Sequence, residues 1–564
     1  MGKLTFKKIK IALLGSYTLN NVQESLLTQL KENNLIPEIK LGGYNQFMEE
    51  LIDPNSWLCK FSPDIILIAI SSRTFLNNLQ YQSNEDRKLI VKRKITSLIQ
   101  VLQSNSLKSK IILTTLDYPT YSPNNLQDLT SNESINGLIA SFNNELIRFG
   151  KLSNQISLLN FERLCSLHGK LNVFDEKMFY LGKILLTKKG VNVFSKEIAN
   201  IIFAIYGMTK KCLIIDLDNT LWGGVIGEDG QDKLQLGEDT IIGRIYSEIQ
   251  KIILNWKNSG VLLAIVSKNN LHDALQAFKN KNMILKEEDF IVKKVNWEEK
   301  SKNIEEIAKE LNLGLDSFVF LDDNPLERLE VKSRMPEVSI IDFPEDISLL
   351  PLVLKQNNLF NSLNLTEEDR KRNKFYKQDI NRNVLRKKTS LENYLKKLEI
   401  KIAIKKDDIT QIERITQLIN KTNQFNLRTK RYSIEDLKKM INSDDYIISS
   451  LSVKDAYGES GLTGVIIIKK LEDSYFVDSF LMSCRILSRK IEFQFFKETL
   501  KFLSNKNYKL ITEYIPTPKN ILVENFYDEL GLKGISKKNT KKYSISLDKL
   551  NIPDIQWIKI IKNG

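Results

Sequence analysis

Three apolar runs, each closed by an acid or a hydroxyl and separated by segments of helical period, constrain the fold more than anything else in this chain. They are KCLIIDLDNT, VLLAIVSKNN and SFVFLDDNP. Short strands alternating with helices predict an α/β layer structure. In open sheets of that kind, functional groups gather where loops leave the carboxyl ends of the strands. Asp216 and Asp218 stand at the first such end, Ser267 at the second, and Asp322 and Asp323 at the third, with Lys300 in the intervening VNWEEKSKN.

Two carboxylates as close as Asp216 and Asp218 repel each other unless a cation or a raised pKa relieves them. An aspartate can also attack phosphorus as a nucleophile. Mg²⁺ with a phosphate substrate satisfies both conditions. Ser267 would bind a phosphoryl oxygen, Lys300 would neutralise charge on the transferring group, and Asp322 and Asp323 would add hard oxygen ligands for the same ion. Any one of these alone reads as a solvated strand-end residue. Four in order, each tied to a hydrophobic strand, point to a phosphate-handling site.

These residues resemble the haloacid dehalogenase (HAD) superfamily, whose first motif, D-x-D-x-T, is matched by Asp216, Asp218 and Thr220. The resemblance implies that Asp216 forms an aspartyl phosphate and that Asp218 is the general acid and base. It further implies that Thr220, Ser267 and Lys300 contact the phosphoryl group, with Asp216, Asp218, Asp322 and Asp323 around the metal. Only about fifty residues separate Asp216 from Ser267. That leaves little room for a lid, so an uncapped Rossmannoid domain is expected, covered by another domain or served by a macromolecule that presents the substrate.

A closer resemblance extends over roughly residues 210 to 540. DLDNTLWGGVIGEDG, NWEEKSKNI and VFLDDNPLER, followed by TNQFNLRTKRYS, DAYGESGLTG and MSCRILSR, are similar to the FkbH-like glyceryl transferase/phosphatases. The family implies removal of phosphate from 1,3-bisphosphoglycerate and loading of the glyceryl unit, as a thioester, onto the phosphopantetheine arm of an acyl carrier protein in polyketide or related biosynthesis. A thiol is needed, and Cys484 is the candidate, with Arg485 and Arg489 beside it to lower its pKa and attract phosphate. A lone cysteine at a strand end reads otherwise as a small buried hydrophobe.

The C-terminal part resembles an acetyltransferase (GNAT) fold, but Arg485-Ile-Leu-Ser488-Arg-Lys490 lacks both glycines of the pyrophosphate loop, R-x-x-G-x-G/A. Asn423, Gln424 and Asn426, with Asp455 and Gly458, line the acyl site in this reading and serve equally well as polar caps and a turn. The N-terminal strands KIALLGS, DIILIAIS, KIILTTL and QISLLNF, with Gly15 and Ser16 ending the first, resemble an SGNH-type esterase of flavodoxin-like build. The histidine base is missing: of the two histidines, His168 has no aspartate three residues before it and His272 lies in the central region. The fold is expected without the hydrolase activity, and Ser16 as structural.

The expected division is an SGNH-like domain over 1–208, a HAD phosphatase domain over 209–360, a helical connector over 361–395 and a mostly antiparallel GNAT-like α+β domain over 396–564. Eighty-three basic against 69 acidic residues give a net charge of +14, spread diffusely as lysine. Nucleic-acid binding would want a basic patch interleaved with aromatics, so it is not expected. No apolar stretch reaches bilayer length, and MGKLTFKKIKIALLG reads as a first strand rather than a signal. Four scattered cysteines suit a reducing cytoplasm. Two rival readings stand beside the transferase: a stand-alone Mg²⁺-dependent phosphatase of a small metabolite with accessory binding domains, and a noncatalytic assembly protein, against which the complete set of acids speaks.

Overall fold

A computed structural model describes residues 7–33, 35–104, 107, 109–121, 134–153, 155–363, 373, 375–378, 382, 385–386, 389–483, 486–487, 489–517, 520–537 and 540–561. Contacts divide the chain into two compact units, Met1–Gly207 and Met208–Gly564.

The first unit is a parallel sheet of five strands, β1 (Lys7–Gly15), β2 (Leu35–Tyr44), β3 (Ile65–Ala69), β4 (Lys110–Thr114) and β5 (Ile156–Leu159), in the order β2-β1-β3-β4-β5. That order is the flavodoxin-like one, with its switch point between β1 and β3. Helices cover both faces, burying one core around Leu26, Phe161 and Phe194 and another around Phe47, Phe75 and Phe142. Ser16, after β1, is wholly buried. Its Oγ lies 2.6 Å from Thr74 Oγ1 and accepts from the Ser71 amide at 3.1 Å, so the hydroxyl is committed to the loop architecture.

The second unit contains two sheets. In the first, β6 (Cys212–Ile215), β7 (Leu262–Ser267), β8 (Phe290–Val295), β9 (Phe318–Leu321) and β10 (Ser339–Ile340) run parallel in the order β10-β9-β6-β7-β8. Every residue of β6, β7 and β9 is buried, because hydrophobic cores pack on both faces of this sheet. Between Asp216 and the helix Ile241–Asn258 there is only one short helix, Ile226–Asp229, and β7 leads directly to Leu271–Ala277, so no lid is inserted.

The second sheet comprises β11 (Ile400–Lys406), β12 (Phe425–Asn426), β13 (Tyr446–Asp455), β14 (Gly458–Lys470), β15 (Ser474–Met482), β16 (Lys509–Tyr514), β17 (Gly534–Lys537), β18 (Thr540–Ser546) and β19 (Ile558–Ile561). Most pairs are antiparallel, with β15–β16 and β11–β19 parallel. β15 and β16 pair only from Ser474 to Phe476 and then part. Residues 425–428 enter the opening: β12 pairs with Leu481 and Met482, the Leu427 amide donates to Phe480 O at 3.1 Å, and Leu427 O accepts from the Ile515 amide at 2.9 Å. About half of the connector expected over 361–395 lies outside the described residues. Within it, Tyr376 packs on the parallel-sheet core and Leu385 on that of the second sheet.

Candidate active site

β6 lies between β7 and β9, with Ile215 opposite both Ile265 and Leu321. That register brings Asp216, Ser267 and Asp322 to one edge of the sheet, and the Asp216 amide donates to Leu321 O at 3.0 Å. All three are buried. Oxygens of Asp216, Asp322 and Asp323 lie within 4.8 Å of one another. Lys300, the first residue of the helix Lys300–Leu311, places its ammonium 3.0 Å from Asp216 Oδ1 and 2.5 Å from Asp322 Oδ2.

Burial raises the Asp216 carboxyl to about 7; Lys300 opposes this, Asp322 reinforces it, and Ser267 gives a smaller opposing hydrogen bond. Burial also raises Asp322, again against Lys300. For Lys300, burial acts to lower the ammonium, but the two carboxylates outweigh it and the net shift is upward. Asp216 Oδ1 is buried, and the Lys300 ammonium 3.0 Å away is the cation that faces it. One ammonium does not balance three converging carboxylates, and such an excess of buried negative charge is costly. The three acids therefore fit a further small hard cation such as Mg²⁺.

Two of the expected site residues are placed differently from the rest. Asp218 does not join the converging carboxylates: its Oδ1 accepts from Trp222 Nε1 at 2.9 Å and from the Ile226 amide at 3.0 Å, and its Oδ2 from Asn269 Nδ2 at 2.7 Å. Its side chain is thus oriented by protein donors, apart from the three carboxylates that converge. Thr220 is fully buried. Its hydroxyl donates to Asp323 Oδ1 at 3.1 Å and accepts from the Asp323 amide at 3.0 Å, so it positions a carboxylate instead of meeting phosphate.

The sequence reasoning did not single out Asn269, Trp222 or Arg328, whose guanidinium donates to the carbonyls of Asp322 and Asp323 at 2.7 Å. The position of Asn269 two residues beyond Ser267, at a strand end, was the one available signal.

Cys484, Arg485 and Ser488 lie outside the described residues. Asn423 accepts from Arg431 through its side-chain oxygen, and Gln424 is exposed. Asn426 is buried at the end of β12: its Oδ1 accepts from the Thr429 amide at 2.7 Å, and its carbonyl accepts from Asn520 Nδ2 at 2.8 Å. Asp455 is buried between two guanidiniums, accepting from Arg382 at 2.7 and 2.8 Å and from Arg489 at 3.1 Å. Gly458 adopts φ +133°, a backbone conformation that calls for glycine.

A family model described as FkbH, N-terminal domain, matches residues 10–203. Among solved structures, the N-terminal part of the protein BF1531 from Bacteroides fragilis, containing a phosphatase domain complexed with Mg, is 30% identical with a TM-score of 0.61. The match covers 64% of this chain and 96% of that one. The chain belongs to the FkbH-like family. That membership places its central domain in the HAD superfamily. The ribosomal-protein-S18-alanine N-acetyltransferase of Escherichia coli also matches, at 9% identity over 27% of this chain and 96% of that one, with a TM-score of 0.22 on which nothing further rests. No curated protein matches the sequence.

Proposed function

We propose that the protein is a Mg²⁺-dependent phosphatase combined with a glyceryl transferase, working in the cytoplasm. The observation that carries the reading is the convergence of Asp216, Asp322 and Asp323 beside Lys300 at the carboxyl edge of a parallel sheet. In this proposal Asp216 attacks the phosphorus of a small phosphorylated three-carbon substrate, 1,3-bisphosphoglycerate. Asp218 protonates the departing oxygen and then takes a proton from the water that hydrolyses the aspartyl phosphate. Asp216, Asp322 and Asp323 would hold Mg²⁺, which when bound supplies charge neutralisation for the phosphoryl oxygens. Lys300 and Ser267 bind the same oxygens.

Cys484 captures the acyl group from the acyl phosphate, with Arg485, Asn423 and Gln424 as its substrate contacts, and passes it to the phosphopantetheine thiol of an acyl carrier protein. The chain divides these tasks among a catalytically silent SGNH-like domain (1–208), the phosphatase domain (209–360), the connector (361–395) and a GNAT-like acyltransferase domain (396–564).

The test uses labelled 1,3-bisphosphoglycerate, Mg²⁺ and a candidate carrier protein. Asp216→Asn is expected to abolish release of the phosphate held as an ester, leaving only the phosphate that the Cys484 thiolate expels from the acyl phosphate, and Cys484→Ala to abolish the glyceryl mass on the carrier; a carrier still loaded by the Cys484 variant would remove that residue from the scheme. A second reading, a stand-alone phosphatase of a small metabolite, is favoured by the fact that the acid cluster is complete on residues 216–323 alone. It requires ordinary turnover without any carrier and no thioester on the enzyme.

A further inference from the structure

We propose that Asn269 is a positioning residue that reserves one oxygen of Asp218, Oδ2, for proton transfer. This rests on the phosphatase reading above and assigns the atom through which its proton moves. A carboxylate oxygen has two lone-pair directions in its plane. Asp218 Oδ1 has both taken, by Trp222 Nε1 and the Ile226 amide. Among the described residues Oδ2 accepts only from Asn269 Nδ2, at 2.7 Å, so one direction remains for a proton.

The three donors are held independently. Trp222 is fully buried and meets the Phe278 ring edge-on, with centroids 5.8 Å apart. The Ile226 amide opens a short helix. Asn269 is 6% exposed, in the loop that follows β7. The turn beneath them is fixed as well: Asn219 has φ +52°, its carbonyl accepts from Tyr246 Oη at 2.9 Å, and its side-chain oxygen accepts from the Gly224 amide at 3.0 Å.

All three hydrogen bonds survive a proton on Oδ2, because a carboxylic acid still accepts at its carbonyl oxygen and at its hydroxyl oxygen. The group can therefore alternate between acid and base without rearrangement. In the first half-reaction a bond forms between an Asp216 oxygen and phosphorus, the bond from phosphorus to the leaving oxygen breaks, and that oxygen takes the proton from Asp218 Oδ2. In the second, water attacks phosphorus, the bond between the Asp216 oxygen and phosphorus breaks, and a proton of the water returns to Oδ2, leaving inorganic phosphate, the Asp216 carboxylate and Asp218 protonated as at the start.

The assignment has a selective consequence. An alkyl phosphate must expel an alkoxide and needs the proton in the first half-reaction, whereas an acyl phosphate expels a carboxylate and does not. With Mg²⁺ present, kcat/KM of the full chain would be measured on 3-phosphoglycerate and on acetyl phosphate, for wild type and Asn269→Ala. The expected result is a loss on the order of 10²-fold on 3-phosphoglycerate, within the range for general acid catalysis, and a change of less than about threefold on acetyl phosphate. Equal losses on both would reduce Asn269 to a structural part and overturn the assignment, as would no loss on either. A wild-type protein inert toward both would sink the phosphatase reading, and this assignment with it. Should Asn269→Ala not fold, as judged by thermal melting, Asn269→Ser carries the same comparison.

Discussion

Lys300 shows how a single side chain sets the electrostatics of the candidate site. It is the counter-ion that keeps two buried carboxylates tolerable. Removing one partner of a buried ionic group typically costs about 3–5 kcal/mol. Lys300→Met should therefore lower the melting temperature clearly in chelator, and added Mg²⁺ should restore more stability to the variant than it adds to wild type; thermal melts with and without the ion check both. Glu492 is a half-buried acid whose Oε2 is buried with no hydrogen-bond partner among the described residues. Burial raises its carboxyl to about 7, its own backbone amide opposes this and Glu529 reinforces it. A carboxyl held more tightly protonated in the folded state adds stability below its unfolded value of 4.5, and that contribution is lost as pH rises toward 7. Glu492→Gln should match wild type near pH 5 and exceed it at pH 8, by on the order of 2–3 kcal/mol in denaturant unfolding. The site itself was partly legible in the sequence. Asp216, Ser267 and Asp322 each end an apolar run, so a parallel sheet has to collect them. The hydrogen-bond partners of Asp218 and Thr220 were not legible, because spacing carries no information about which donors a turn will aim at a carboxylate.

Among the elements, β6, β7 and β9 could be read as strands because they are uniformly apolar, as is required of strands covered on both faces. β2 could not: LIPEIKLGGY alternates apolar with polar and carries Pro37, the signature of a sheet edge, where one side faces water. β8, FIVKKV, is an edge strand with the same mixture. The two-residue β12 is too short for any periodicity, yet it occupies the opening between β15 and β16. Phe425 anchors it by edge contacts with Phe480 and Phe526, centroids 5.3 and 5.8 Å away. Arg428 spans the opening, pairing with Asp478 at 3.0 Å and Glu513 at 2.5 Å. Phe425→Ala should cost about 3–5 kcal/mol by leaving a cavity where the strands diverge. Chemical denaturation, with hydrogen exchange read on residues 474–482 and 509–515, would show the loss concentrated there.

At the scale of the whole molecule, the acid cluster draws all its residues from the unit Met208–Gly564. Mg²⁺ that binds the folded site and not the unfolded chain should stabilise that unit by about 2.7 kcal/mol at a hundred times its dissociation constant. Hydrogen exchange should then slow for peptides spanning 212–325 and stay unchanged for those within 7–207, and Asp216→Asn should erase the difference. The two parallel sheets were foreseeable from the two successive strand-and-helix series. The parallel pairs at β15–β16 and β11–β19 were not, because partner choice between distant strands depends on packing that local pattern does not record. Asp216 stands at the end of a strand bonded to neighbours on both sides. A residue so anchored cannot swing out to greet a visitor without unzipping two ladders, so during turnover the travelling must be done by the guest molecule and whatever delivers it.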